Sequence, residues 1–219
     1  MSKVKIPNYS LSEELINSIS HGVASIFSIV GLIMLVIKAA NKGAMAVTTV
    51  TLFGTTMIIL YTISCIYHAL SPNITGKKVM RVIDHCNVFL LVFGTIIPVA
   101  LVGIEGYLGW LYFSIVALVT LIGIVFSAID VDKNQKIEVI CHLINGWSVT
   151  LFSKTLITNI GTTGFLFVVL GGVMYSLGAI LYGIGSKKKY MHSVFHFFCI
   201  FGTIFHYLAI YYNVVIEST

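Results

Sequence analysis

Charged residues are scarce in this chain, because only 10% of its 219 residues are Asp, Glu, Lys or Arg while 58% are hydrophobic. The mean hydropathy of +0.99 lies well outside the range of soluble domains. At roughly 20 residues per membrane-spanning helix, this length accommodates about seven spans and leaves no room for a separate soluble domain. The sequence therefore predicts an all-α, multi-pass protein of the cell membrane with a single domain over residues 1–219.

Cysteines that could form disulfides are lacking as well. All four cysteines lie inside or at the edges of apolar runs rather than in loops, which excludes a disulfide framework and indicates packing residues. The sequence contains no internal repeat and no low-complexity segment. The first apolar run is full length and has no small-residue cleavage site, so no cleaved signal peptide is predicted. The net charge of +5 is explained by lysine-rich loops on one membrane side rather than by nucleic-acid binding.

Apolar runs bounded by charges, glycine or asparagine predict a seven-transmembrane helix bundle. The predicted spans are about 19–38, 44–70, 82–103, 107–129, 138–158, 163–184 and 190–213. With the N-terminus in the cytoplasm and the C-terminus outside, ten Lys and Arg residues lie on the inner face and three on the outer face. The inner ten are Lys3, Lys5, Lys77, Lys78, Arg81, Lys133, Lys136, Lys187, Lys188 and Lys189, and the outer three are Lys38, Lys42 and Lys154.

The fifth predicted span is the least regular, since Asn145, Lys154 and Thr155 interrupt its apolar run. A chain without this span would have six crossings, and its later loops would then change sides. Lys187 to Lys189 would lie outside, against the tendency of cations to remain in the cytoplasm. Seven crossings are therefore favoured over six.

Histidines are concentrated at one end of the predicted bundle. Only His206 lies toward the opposite side, about 15 to 20 Å further along its helix. The other six histidines lie at one predicted depth. Asp84, near the start of the third span, lies at the same depth and is the only carboxylate predicted there. A layer of imidazoles with one carboxylate has the composition of a metal site. The six histidines at cytoplasmic helix ends are His21, His68, His85, His142, His192 and His196.

His192 and His196 are four residues apart, so a helix places both imidazoles on one face, close enough to reach one ion. We predict that His68, at the end of the second span, completes a three-histidine Zn²⁺ site. Catalytic zinc typically takes three protein ligands and leaves its fourth position to water. Ser64 lies one turn before His68 and would orient a ligand or water, while Asp84 would assist proton transfer.

Each assignment has a simpler alternative. The histidines could be satisfied by neighbouring helices. Asp84 could pair with Arg81 at a helix start, and Ser64 could hydrogen-bond to its own helix backbone. His85 points about 100° away from Asp84 and is interpreted as a packing or interfacial residue. The two remaining histidines, His21 and His142, are interpreted as interfacial or as supporting the ligands, and are not predicted to be ligands.

Four motifs together resemble the bacterial hemolysin III proteins, which belong with the adiponectin and progestin receptors in the PAQR family. The resemblance spans all predicted helices. It implies a seven-helix protein of the bacterial plasma membrane with a cytoplasmic N-terminus, a zinc site at His68, His192 and His196 with Asp84 nearby, and a relationship to alkaline ceramidase-type membrane hydrolases. The motifs are Glu14-x-x-Asn17-x-x-x-His21, Ser64-x-x-x-His68, Arg81-x-x-Asp84-His85 with Gly94-Thr95 and Pro98 downstream, and His192-x-x-x-His196.

The leading functional hypothesis is a zinc-dependent hydrolase that acts on a lipid amide or ester at the cytoplasmic leaflet, with a lipid tail lying between helices. A second hypothesis is a non-enzymatic regulator of membrane lipid composition or fluidity, in which zinc is structural. A third is a cytolysin or channel, suggested by the family name. It is disfavoured because the spans carry few charges and no polar stripe suited to a pore. Membrane lipids are the expected partners.

Overall fold

A computed structural model describes residues 4–185 and 188–214, and within them all regular secondary structure is helical, with no strand. Two of the lysines used to predict the topology, Lys3 and Lys187, lie outside the described residues, as does the C-terminus that was predicted to be outside the cell. The prediction of an all-α membrane protein is confirmed. Six helical segments of the described chain are long and apolar enough to cross a membrane.

The helices follow one another with short connections. The α-helices are α1 (Leu11–Ala39), α2 (Ala44–Ala69), α3 (Thr75–Pro98), α4 (Gly106–Ile129), α5 (Val131–Ser148), α6 (Ser153–Gly185) and α7 (Met191–Ala209). π-Helical turns extend α3 over Val99–Ile104 and α7 over Ile210–Val214, and a 3₁₀ turn at Val149–Phe152 joins α5 to α6.

The fifth and sixth predicted spans fall in one continuous helical segment, Val131–Gly183, of 53 residues. The sequence predicted separate spans at 138–158 and 163–184 with a short loop between them. In the structure a kink at Gly161, inside that predicted loop, divides α6 into two helical parts, because the φ of 72° and ψ of 164° of this glycine are not helical. The helix count alone therefore gives six candidate spans rather than seven.

The start of α1 is fixed by a capping box. The Ser10 side chain accepts a hydrogen bond from the backbone of Glu13, and the Glu13 carboxylate accepts one from the backbone of Ser10. The other Glu13 oxygen accepts the N–H of Tyr190, one residue before α7 begins. This capping contact places the first turn of α1 beside the first turn of α7.

Helix α1 presents two different faces. Apolar side chains such as Ile26 and Phe27, 65% and 69% exposed, point outward, as expected for a helix surrounded by lipid. Glu14, Asn17 and His21 are spaced three and four residues apart, and all are buried on the inner face. Helix α1 packs against α2 and α7. The polar stripe therefore faces the end of α2 that carries His68 and the end of α7 that carries His192 and His196.

Candidate metal centre and its cavity

Three predicted ligands converge at one end of the bundle. His192 and His196 lie in the first turns of α7, and His68 lies in the last turn of α2. One ring nitrogen from each lies within 4.8 Å of the other two, and no second such group of three occurs among the described residues. The Nε2 atoms of His192 and His196 are 3.1 Å apart. The structure thus brings together the three side chains that the spacing singled out.

These three imidazoles fit a tetrahedral ion. Two ligands held about 2.0–2.1 Å from one such ion are roughly 3.3 Å apart, close to the separation of the His192 and His196 nitrogens. Nε2 of His68 is buried and has no hydrogen-bond partner. Because its other nitrogen is already engaged, this Nε2 is the atom that His68 offers as a ligand. An unpaired buried nitrogen beside two others is costly unless a cation or a proton donor pairs with them.

The orientation of His68 is fixed by a carboxylate that the sequence analysis did not assign to the site. Nδ1 of His68 lies 2.6 Å from one oxygen of Glu14, and the ammonium of Lys77 lies 2.6 Å from the other. Lys77 is fully buried and also donates to the carbonyl of Leu70. The expectation that Asp84 is the only carboxylate at this depth is therefore wrong. A carboxylate behind a histidine fixes its tautomer and strengthens it as a ligand.

A fourth imidazole packs against the cluster. The ring of His21 stacks on that of His196, with centroids 3.9 Å apart, and both of its nitrogens are buried without a hydrogen-bond partner. Asn17, one turn earlier, places its amide nitrogen 3.4 Å from Nδ1 of His68. His21 was interpreted as interfacial or as supporting the ligands, and the structure places it in contact with His196, a predicted ligand.

Asp84 and Ser64 lie in the wall of the cavity beside these histidines. The Ser64 hydroxyl interacts with the Asp84 carboxylate. Arg81, the simpler partner considered for Asp84, instead forms an ion pair of 2.6 Å with Asp132, at the start of α5. The Asp84 carboxylate is thereby left directed at Ser64 and at the cavity. Whether either residue acts in catalysis remains a prediction.

The N-terminal segment, residues 4–10, lies across this end of the bundle. The Tyr9 ring stacks on His192 with centroids 4.8 Å apart. The peptide N–H of Lys5 donates to Asp132, and its carbonyl accepts from Arg81. Burial raises the pKa of the Tyr9 hydroxyl well above its usual range, so that this ring stays neutral beside the histidines. The segment therefore shields His192 from the surrounding water.

A cavity of about 180 Å³ extends from the histidine cluster along the bundle. Its polar end is formed by Asp84, Ser64, His192 and His196. On α7 the lining continues to Ile210, about 27 Å further at 1.5 Å per residue. The volume slightly exceeds the roughly 150 Å³ of an engineered cavity that binds benzene. Apolar residues dominate the rest of the wall, among them Leu60, Val88, Leu91, Val92, Ile96, Val99, Val149 and Val168.

Comparison with known proteins places this arrangement in a family. The sequence profile described as "Haemolysin-III related" matches residues 9–207. The chain is 32% identical over 207 residues to hemolysin-3 of Bacillus cereus, covering 94% of this chain and 93% of that protein. It is 34% identical over 196 residues to a hemolysin-3 homolog of Bacillus subtilis (strain 168), covering 89% and 91%. The chain belongs to the haemolysin-III family.

The matched region of this haemolysin-III protein includes the histidine cluster, Asp84 and the whole cavity lining except Ile210. Family membership and the apolar helices together establish a multi-pass protein of the bacterial plasma membrane. The family resemblance stated from the motifs is thereby confirmed. The metal, the reaction and the substrate are not part of what these relationships establish.

A second polar group in the cavity wall was missed by the sequence analysis. Nδ1 of His85 lies 2.8 Å from one oxygen of Glu138, and the Ser127 hydroxyl donates to the other at 2.6 Å. His142, one turn after Glu138, packs on Phe89 with its Nδ1 buried and unpartnered. His85 was interpreted as a packing or interfacial residue, but it is paired with Glu138 and lines the cavity. Its partner is on a helix more than 50 residues away, so no local spacing could have indicated the pair.

Proposed function

We propose that this haemolysin-III protein is a zinc-dependent hydrolase that cleaves an amide or ester bond of a membrane lipid at the cytoplasmic leaflet. The observation that supports the proposal is the position of three convergent imidazoles with a free ligand nitrogen at the polar end of a long apolar cavity. A carboxylate that is not one of the three ligands lies in the same wall. This combination suits hydrolysis of a bond that joins a polar head to an apolar chain.

His68, His192 and His196 would hold the metal. Bound there, zinc would supply a Lewis acid that polarises a carbonyl and acidifies a water molecule. Glu14 keeps the proton of His68 on Nδ1, so that Nε2 stays available as a ligand. Lys77 neutralises the buried Glu14 carboxylate, which would otherwise be costly to keep ionised among apolar helices.

Asp84 is placed to handle a proton. Its carboxylate lines the cavity, and the hydroxyl of Ser64 lies close enough to interact with it. Since Arg81 is paired with Asp132, no direct ion pair neutralises Asp84 among the described residues. An ionised carboxylate in this position would accept a proton from an attacking water molecule and later return it to the leaving group.

The apolar part of the cavity would hold the lipid chain. Its walls come from α2, α3, α5, α6 and α7, and their side chains are mostly aliphatic. A chain buried there would place the bond next to the head group at the histidine end. The scissile carbonyl would then lie beside Asp84 without any need for the lipid to leave the bilayer.

For the topology we propose seven crossings with a cytoplasmic N-terminus. As a straight helix the 53-residue segment Val131–Gly183 would be about 80 Å long, far more than the roughly 30 Å of a hydrocarbon core. A chain that stays in the membrane must therefore change direction within it, and Gly161 is the residue with non-helical backbone angles. Two crossings in this segment keep Lys136 and Lys188 on one side, which the charge distribution assigns to the cytoplasm.

The test is the substitution Asp84→Asn, which keeps the size of the side chain but removes its basicity. We expect zinc content to be retained and lipid turnover to fall by about 10² to 10⁴, the usual contribution of a general acid or base. Zinc stoichiometry and product release are measured on purified protein with amide-linked and ester-linked lipids. The matched control is Asp130→Asn, at the N-cap of α5, where asparagine also caps well.

Two outcomes would contradict parts of the proposal. Unchanged turnover in Asp84→Asn would mean that Asp84 acts only as a charge at a helix end, which stabilises the folded protein by at most about 1 kcal/mol. No turnover of any amide or ester lipid by zinc-loaded wild type would exclude the hydrolase and favour a regulator with structural zinc. The name hemolysin-3, which both relatives carry, suggests a third candidate function, cytolysis. Release of a trapped dye from lipid vesicles by purified protein would support it.

A further inference from the structure

The cavity contains a second carboxylate–imidazole pair. Glu138, on α5, is 4% exposed and accepts hydrogen bonds on both oxygens, from His85 on α3 and Ser127 on α4. The pair resembles Glu14 and His68, where a carboxylate holds Nδ1 and leaves Nε2 free. His85, however, is not among the three histidines that converge on a metal site. Its free nitrogen is therefore available for another ligand.

The position of this pair connects it with the candidate metal centre. His85, Glu138 and Tyr182 all line the cavity that His192 lines. The Tyr182 ring neighbours both imidazoles, with its centroid 6.4 Å from that of His85 and 5.9 Å from that of His192. The pair and a predicted metal ligand thus share one aromatic neighbour, and a head group beside Tyr182 could contact both.

The hydrogen bonds define the chemistry that His85 offers. Both Glu138 oxygens are already acceptors, so the neutral imidazole carries its proton on Nδ1 and has a bare lone pair on Nε2. Nε2 has no hydrogen-bond partner among the described residues, and the His85 side chain keeps 17% of its surface exposed. Nε2 of His85 is therefore able to accept a hydrogen bond from a donor on a ligand in the cavity.

A purely structural role accounts for part of this arrangement, since the Ser127, Glu138 and His85 contacts tie together three helices. It does not account for the polar groups that remain unpaired in the same wall. His142, one turn after Glu138, also lines the cavity, and its buried Nδ1 has no partner. Leaving such groups unpaired in a low-dielectric interior is costly, which indicates that a polar ligand reaches this position.

We propose that His85, held by Glu138, is a specificity-determining anchor that accepts a hydrogen bond from a hydroxyl or amide N–H in the head group of a single-chain lipid. The inference rests on the proposed function for the identity of the neighbouring metal centre, but the binding it describes does not require hydrolysis. It narrows the substrate class to lipids that carry a donor close to the carbonyl, such as N-acyl amino alcohols. Lipids whose head groups lack such a donor would bind less well.

The experiment uses three probes: N-dodecanoyl ethanolamine, its O-methyl ether and its N-methyl amide. Each is titrated by calorimetry into the zinc-loaded, detergent-solubilised full chain. Wild type is expected to bind the parent about 3- to 10-fold tighter than the analogue that lacks the critical donor, the effect of one hydrogen bond. In His85→Phe this ratio is expected to fall to about 1, while zinc content remains that of wild type.

Two further variants keep the test decisive. Glu138→Gln preserves size and weakens the hold on Nδ1, so it is expected to reduce the same ratio, and it substitutes for His85→Phe if that protein does not fold. Ser25→Ala removes a hydrogen bond to Thr62 outside the cavity and is expected to keep the wild-type ratio.

The possible outcomes separate the inference from the proposed function. A wild type that binds all three probes equally, or binds none, overturns the anchor, as does an unchanged ratio in both His85→Phe and Glu138→Gln. Selective binding that depends on His85, without hydrolysis of any probe, supports the anchor and rejects the hydrolase. Hydrolysis of probes without any such selectivity rejects the anchor and retains the hydrolase.

Discussion

His68 and Glu14 are joined across two helices by a contact of 2.6 Å between Nδ1 and a carboxylate oxygen. The same carboxylate binds the buried ammonium of Lys77, so the imidazole is held by a charged network rather than by packing alone. This relationship distinguishes His68 from an ordinary buried histidine. It fixes which nitrogen faces His192 and His196, and it leads to predictions about metal affinity.

Glu14→Gln is expected to weaken zinc binding without removing a ligand. The amide is a poorer partner for Nδ1–H of His68, and loss of such a partner typically reduces metal affinity by about 10- to 100-fold. The measurement is zinc retention against a graded series of chelators. Glu13→Gln is the control, because that carboxylate caps α1 and does not contact His68. Equal affinities in the two variants would contradict the role of Glu14.

His196→Ala is expected to lose most of the bound zinc, since two imidazoles hold the ion far more weakly than three. His206→Ala should retain it, because His206 lies further along α7 and donates to the Val168 carbonyl. Metal content is measured on protein purified in the same detergent. Normal zinc content in His196→Ala would place the site elsewhere.

Filling the cavity should impair lipid binding but not metal binding. A Cβ atom added at Gly146, in the cavity wall, meets nothing within 4 Å. Gly146→Phe is expected to compete with the lipid chain and to weaken lipid binding by about 1–3 kcal/mol, or roughly 5- to 150-fold in affinity. Gly146→Ala is the control and should gain up to about 1 kcal/mol of stability from helix propensity. Unchanged lipid affinity in Gly146→Phe would show that the lipid binds elsewhere.

The number of crossings is tested with single cysteines in a chain whose four native cysteines are replaced. If Val131–Gly183 crosses twice, Lys136→Cys and Lys188→Cys should react with an impermeant reagent from the same side of sealed cells, and Thr163→Cys from the other. A segment that crosses once would place Lys136 and Lys188 on opposite sides. Labelling of intact and permeabilised cells distinguishes the two arrangements.

The helices and the ligand pair were predictable because each depends on local spacing. An apolar run of about 20 residues has few alternatives to a membrane helix, and two histidines four residues apart on it must share a face. His68 was predictable from its depth at a helix end. These features require only the period of the helix and the thickness of the bilayer.

The partners across helices were not predictable, because sequence separation does not indicate which side chains meet. The simpler alternative for Asp84 was an ion pair with Arg81, three residues earlier, yet Arg81 pairs with Asp132, 51 residues away. Glu14 was noted only as part of a motif with Asn17 and His21, and Lys77 only as one of the charges predicted on the cytoplasmic side. Both are buried at the site, where they meet because α1 and α3 each pack against α2.

The N-terminal segment is anchored at Lys5 through its main chain, while the Tyr9 side chain contacts His192. Lys5 contacts Asp132 and Arg81 with its peptide N–H and carbonyl, atoms that any residue except proline supplies in full. The residue at position 5 can therefore differ among relatives while the N-terminal segment still shields His192. An alignment would show no motif there, and a chimaera that exchanges residues 4–6 between family members should keep the same contacts.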